Sequence, residues 1–188
     1  MKKRLILFTV CLLLFFGCDK TKMPYGVGVK NGVGSFVFKG TIASTYIPDA
    51  LKYFSKNNIR QVVIEVHSPG GSLFEVWRII SLLESYDNEI KYQTRALGLA
   101  GSGGFMVFLA GDERLVSRHA SFMWHNTKGY GIDEEANKMF DDRSNAYIAS
   151  RTDMTIDQVR EKIKNGEKDW YFGAKEAIAL GIAHGYIE

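Results

Sequence analysis

The chain has 188 residues, 46% of them apolar, with 24 Lys and Arg against 21 Asp and Glu. That length suits one buried core and leaves little room for a second domain. Two cysteines are too few for a disulfide framework, and the body of the chain carries no basic cluster of the kind that binds nucleic acid.

Residues 1–17 differ in kind from the rest. Lys2, Lys3 and Arg4 precede an uncharged apolar stretch, Leu5 to Phe16, and then Gly17. A basic start, a short apolar run and a small residue form the pattern of a secretory signal. The run falls short of the about 20 residues that span a membrane. Cys18 follows "LLLFFG", which resembles a bacterial lipobox, with Phe15 and Phe16 bulkier than usual there. The expectation is a signal peptide at 1–17 and lipidation at Cys18. The protein would then sit in the bacterial cell envelope, lipid-anchored on the periplasmic side of the membrane, or be secreted. The leader holds three basic residues and no acid, so the remaining 171 residues are close to neutral. Residues 18–34 are polar and Gly-rich and are expected to be a tether, with a single domain over 35–188.

Strands and helices then alternate. A strand is expected over 35–42 and a helix over 45–57, with Pro48 in its first turn. The β-branched run "QVVIEVH" (61–67) reads as a buried strand. After "SPGG", apolar residues at 73, 76, 77, 80 and 83 have helical spacing over 72–86. A strand at 89–97 leads to a short buried helix at 102–111. "ERLVS" and "ASFMWHN" read as strands, 133–151 as a long helix, and a further helix belongs with "DMTIDQVREKIK". This alternation argues for an α/β fold with a mostly parallel sheet flanked by helices. The Gly-rich turns fall at carboxyl ends of strands, where such sheets place their sites.

Two turns invite chemistry. In "SPGGS" (68–72), Gly70 and Gly71 allow a tight turn and close approach of a ligand to N–H groups at a helix start. In "GLAGSGGF" (98–105), Ser102 opens a helix with glycine on both sides. A nucleophile needs an exposed hydroxyl, open approach and nearby N–H donors. Each feature alone also fits a plain turn. Of the four histidines, His125 ends an apolar strand, His67 ends the strand before "SPGG", and His119 and His184 lie elsewhere. Asp169 precedes the aromatics Trp170, Tyr171 and Phe172. By position alone, His125 and Asp169 could both be structural.

Taken together, these residues resemble the proteolytic subunit of the Clp protease family, of the ClpP/crotonase fold. The resemblance runs from about Phe36 to the end, through "VVIEVHSPGGS", "GLAGSGGFMVFLAGDERLV", "ASFMWHNTKGYG" and "KDWYFGAKEAIALGIA", in the family's order. It implies a serine endopeptidase with Ser102 as nucleophile, His125 as general base and acid, and Asp169 orienting the imidazole. It further implies an oxyanion hole from the N–H groups of Gly71 and Gly103. No metal or cofactor is implied. Gly103 stands where the family often has methionine, which is expected to loosen the position of its N–H. The resemblance implies a homo-oligomer, but the link from His125 to the helix at Asp133 is several residues shorter than the family's ring-pairing segment, which argues against stacked rings. An export signal is at odds with a cytoplasmic ATPase, so no ATPase partner is expected, and the substrate is a peptide or unfolded protein. Gly129 and Gly131, two apart after His125, would leave one face bare for an extended peptide to add as a strand.

The same residues are open to three other readings. Signal peptide peptidase A relatives share the fold and pair serine with lysine, for which Lys91 and Lys128 are candidates. An α/β-hydrolase would use Ser102, Asp169 and His184 in that order. The third is a non-catalytic assembly module built on the ClpP fold.

Overall fold

A computed structural model describes residues 22–43, 46–127 and 133–188. The leader, Cys18, Lys128, Gly129 and Gly131 lie outside the described residues.

The sheet starts earlier than the sequence reading placed it. Strand β1 (Val27–Lys30), the turn after it and the start of strand β2 (Val33–Lys39) lie inside the segment expected to be a tether, and the two strands form an antiparallel hairpin. The reason is local. Asn31 and Gly32 have φ of 52° and 79°, the left-handed pair that a tight two-residue hairpin needs, and "NG" between alternating residues is its sequence mark. Gly34, Phe36 and Phe38 of β2 point inward while Ser35, Val37 and Lys39 point out.

Helix α1 (Ile47–Lys56) buries Ile47, Ala50, Leu51 and Phe54 on one side. Strand β3 (Gln61–Ser68) lies parallel between β2 and strand β4 (Lys91–Gly101). Helix α2 (Leu73–Ser85) crosses between β3 and β4 and buries Val76, Ile79, Ile80 and Leu83. Strand β4 runs four residues past the expected end. It then forks: Gln93–Ala96 pair with strand β5 (Glu113–Val116), and Leu99–Gly101 pair with strand β6 (Ser121–Trp124). The fork lets one strand serve the main sheet and also carry Ser102 away from it.

Helix α3 (Gly103–Leu109) follows Ser102, and every residue in it is buried. Helix α4 (Glu134–Ser150) starts on Asp133, whose carboxylate accepts from Ala136 N, and helix α5 (Ile156–Lys162) starts on a Thr155–Gln158 capping box. Strand β7 (Trp170–Gly173) pairs antiparallel with β6, helix α6 (Ala174–Ala179) follows, and strand β8 (Gly185–Tyr186) pairs with β5. Six strands run in the order β1-β2-β3-β4-β5-β8, with β6 and β7 branching from β4. Only the β1–β2 and β6–β7 pairings are antiparallel, so the α/β expectation of a mostly parallel sheet holds.

Packing explains β7. Trp170 stacks on Phe172 at 4.1 Å, Phe172 stacks on Phe122 of β6 at 5.1 Å, and Phe105 of α3 meets both phenylalanines edge-on. Each such ring removed from water contributes about 1.5–3 kcal/mol. Two arginines close the far end of α3. Arg151 donates to the carbonyls of Leu109 and Gly111, and buried Arg114 donates to those of Gly111, Arg151, Gly181 and Ile182. Burial, and then the neighbouring Arg151, pull the Arg114 guanidinium down to about 10.

Candidate active site

The site forms where the two glycine turns touch. At the end of β3, buried Ser68 donates to Gly40 O at 2.6 Å and accepts from Gly70 N at 3.1 Å. Ile42 clamps the same turn from the other side: Ile42 N donates to Gly70 O at 2.8 Å, and Ser72 N donates to Ile42 O at 2.7 Å. Gly70 has φ of 105°, and a side chain there would begin 2.7 Å from Ser102 Cβ and 2.8 Å from Gly103 N. A side chain on Gly104 would begin 2.7 Å from Ser68 O. Glycine is required at both positions because the first turn of α3 rests directly on the Ser-Pro-Gly-Gly backbone.

Ser102 itself is strained. Its φ of 50° and ψ of −122° are sparsely populated by residues with a side chain, at a cost on the order of 1–3 kcal/mol. Its backbone is held from both sides. Its N–H donates to Met123 O of β6 at 2.7 Å, and its carbonyl accepts from Phe105 N and Met106 N at 3.0 and 3.2 Å. The bend brings Ser102 onto the wall of a cavity of about 410 Å³.

His125, one residue past β6, lines the same cavity. Its Nδ1 lies 2.5 Å from the main-chain carbonyl of Asn126. A hydrogen bond there places the proton on Nδ1 and leaves Nε2 as the basic nitrogen. Asp169 arrives through strand register. Trp124 pairs with Trp170 in the antiparallel β6–β7 ladder, so the next positions outward are His125 and Asp169. The Asp169 carboxylate accepts from Tyr171 Oη at 3.4 Å. Thus Ser102 and His125 share one cavity, and Asp169 stands across the strand pair from His125 without lining that cavity.

The glycine N–H groups converge on the same place. Gly71 and Gly103 both line the cavity. Gly71 N lies 3.6 Å from the point where a Gly103 side chain would start. Among the described residues neither N–H donates a hydrogen bond. Two free N–H groups beside a serine hydroxyl are what a developing oxyanion requires. Gly103 is closely packed. A Cβ there would meet Val76 Cγ2 at 2.5 Å, so α2 sits close enough to occupy the space of a larger residue.

The other candidates lie elsewhere. His67 Nδ1 accepts from Leu99 N at 3.3 Å at the β3–β4 register shift, a structural role. His184 Nδ1 accepts from Arg114 N at 3.2 Å. Lys91 opens β4 and pairs with Asp112, while Ser102 follows the strand's other end, roughly 35 Å away along it. That separation removes Lys91 as the base, and His184, held beside Arg114 of β5, does not line the cavity that Ser102 shares with His125. Among the described residues no cluster of three or more His, Cys, Asp or Glu could hold a metal ion, and no helix is long and apolar enough to cross a membrane.

The sequence reading did not anticipate the apolar wall. Leu73 and Phe74 at the start of α2, Met106 of α3, Trp124 and Phe140 of α4 line the cavity beside Ser102. Phe74 and Phe140 meet edge-on at 5.4 Å. Phe74 stands three residues beyond the Gly70–Gly71 turn, at the site's rim, and that position was the available signal.

Comparison with known proteins decides the family. The family described as Clp protease matches residues 37–188. The chain belongs to the Clp protease family. It is a serine peptidase of that family by this match and by its relatives. It is 26% identical over 158 residues to the ATP-dependent Clp protease proteolytic subunit 1 of Bacillus cereus, covering 78% of this chain and 79% of that one. It is 27% identical over 156 residues to proteolytic subunit 2 of Thermobifida fusca, covering 75% and 72%. The structure of a ClpP1 N165D mutant from Listeria monocytogenes superposes with a TM-score of 0.74 at 20% identity, over 82% of this chain and 91% of that one. This likeness carries the Clp protease fold.

Proposed function

We propose that this Clp-family peptidase cleaves peptides or unfolded proteins through Ser102, His125 and Asp169, without ATP, and that it does so exported and lipid-anchored through Cys18. The observation that carries the catalytic part is Ser102 in a strained turn, opening on a cavity that it shares with His125 and with the N–H groups of Gly71 and Gly103. Ser102 Oγ attacks the scissile carbonyl and passes its proton to His125 Nε2. The carbonyl oxygen, now negative, accepts from Gly71 N–H and Gly103 N–H. The imidazolium then gives the proton to the leaving amine, and the C–N bond breaks to leave an acyl-serine. Water repeats the sequence, with His125 again as base, and frees the acid. Asp169 is the group that steadies the imidazolium.

The wall of Leu73, Phe74, Met106 and Phe140 supports a preference for an apolar side chain next to the cleaved bond. Gly129 and Gly131 would let the rest of the peptide lie alongside as an added strand. The basic, apolar leader and Cys18 support export and anchoring, and hence independence from the ATPase that the names of the curated relatives imply. Replacing Ser102 or His125 by Ala should each remove roughly 10⁴–10⁶-fold of peptidase activity, Asp169→Ala somewhat less, and double replacements little more. ATP should change none of these rates. Near-normal activity in His125→Ala would defeat the triad.

A further inference from the structure

Five polar or charged residues are buried among the described ones, and one of them, Asn145, sits behind the site. It is 2% exposed and projects from α4. A buried amide is costly unless its groups are bonded, so its partners are informative. Its Oδ1 accepts from Trp124 Nε1 at 2.9 Å. An indole N–H can only donate, so this bond fixes which way the amide points. The amide nitrogen therefore faces the other way, toward Asn126 Oδ1 at 3.5 Å.

Trp124 and Asn126 are the residues on either side of His125. The Asn126 carbonyl is also the group that meets His125 Nδ1. One helical turn before Asn145, on the same face of α4, Asp141 Oδ1 accepts from Thr127 N at 2.6 Å. Two side chains of one helix thus hold the chain at 124, 126 and 127. They leave His125 free only to turn about its own side-chain bonds.

We propose that Asn145, with Asp141, is a positioning residue for His125: α4 sets the direction of the Asn126 carbonyl and through it the imidazole. The proposal rests on the reading of His125 as the base. Neither residue reaches the cavity around Ser102, so neither is catalytic. The role belongs to a different helix from any that carries the triad, and it ties the helix that follows the 128–132 link to the geometry of the base.

The test measures active-site titration and steady-state cleavage in the full chain. A fluorophosphonate gives the fraction of competent sites from its amplitude and the reactivity of Ser102 from its rate. Asn145→Leu keeps the volume and removes both bonds. It should lower kcat per titrated site and the labelling rate together by roughly 10- to 100-fold, the range expected for a base displaced by about 1 Å, with KM changed less than about twofold. Asp141→Ala should lower the same two rates severalfold. Asp141→Asn, which still offers an acceptor to Thr127 N–H, should regain most of that loss. In a His125→Ala background, Asn145→Leu should change the residual rate by less than about twofold, because nothing remains to be positioned. A purely structural role would reduce the titrated fraction and leave the rate per site untouched, and that result would overturn the proposal. So would an equal loss in the His125→Ala background. If Asn145→Leu does not fold, the Asp141 pair decides: equal rates per site in Asp141→Ala, Asp141→Asn and the unchanged chain overturn the proposal. If His125→Ala itself is fully active, the base assignment fails first and the proposal falls with it.

Discussion

Gly70→Ala tests whether the two glycine turns act as one unit. At φ of 105° a side chain is strained, at a cost on the order of 1–3 kcal/mol. The added Cβ would also lie 2.7 Å from Ser102 Cβ and 2.8 Å from Gly103 N, where ordinary contact begins at 3.4 Å. The turn or Ser102 must therefore yield by about 0.7 Å, and overpacking of this kind costs about 1–3 kcal/mol more. Since a misplacement of about 1 Å can cost about 100-fold in rate, a loss of roughly 10- to 100-fold in fluorophosphonate labelling is expected. Gly32→Ala is the control. It has φ of 79° in the β1–β2 turn and nothing within 4 Å, so it carries the strain without the collision. It should lose about 1–2 kcal/mol, or roughly 2–8 °C in Tm, and label at the normal rate. Denaturant midpoints and labelling kinetics on both variants give the comparison. If Gly70→Ala loses stability but labels Ser102 as fast as Gly32→Ala, the turns are not coupled and the oxyanion geometry derived from them is wrong.

Three further outcomes can be checked. Phe74→Ala removes a ring from the cavity wall, and losing its contact with an apolar substrate side chain, about 0.5–1.5 kcal/mol, should raise KM for peptides with a large apolar residue roughly two- to tenfold, with little change for glycine or alanine there. Burial, and then Arg114, hold His184 below the ordinary histidine value of 6.5. The unfolded chain therefore binds this proton first, and its contribution is complete above about pH 6.5 and is lost as pH falls through the lower folded value. Urea midpoints measured from pH 8 down should show less loss in His184→Asn than in the unchanged chain. Cys18→Ser should shift the protein from the membrane fraction to a soluble or unprocessed form on detergent partitioning. Full membrane retention in that variant would mean that the apolar leader anchors the chain without lipid.

The sequence showed the alternation of the sheet and the residues of the site more clearly than how they meet. "QVVIEVH" and "SFVFKG" announced their strands because one buried face repeats every second residue. Ser102 stood out because glycine on both sides of a hydroxyl is uncommon. Strand β1 and its turn into β2 were hidden by composition: Gly-rich and polar, the segment resembles a linker until "NG" is taken as a turn. The fork in β4 could not be anticipated, since it depends on β5 and β6 competing for different halves of one strand. Val76 beside Gly103 and Asn145 behind Trp124 were equally hidden. Each is an ordinary helix residue in the sequence, and only the packing of α2 and α4 against the site gives it a role. Asp169 was legible as an acid beside aromatics, but its place opposite His125 comes from the β6–β7 register.

The most direct measurement is the mass of the intact protein after treatment with a fluorophosphonate, followed by location of the adduct. One adduct on Ser102, absent in Ser102→Ala and slowed by orders of magnitude in His125→Ala, is the predicted result. An adduct on a different serine, or none in protein that cleaves peptides, would contradict the assignment of Ser102 as the nucleophile.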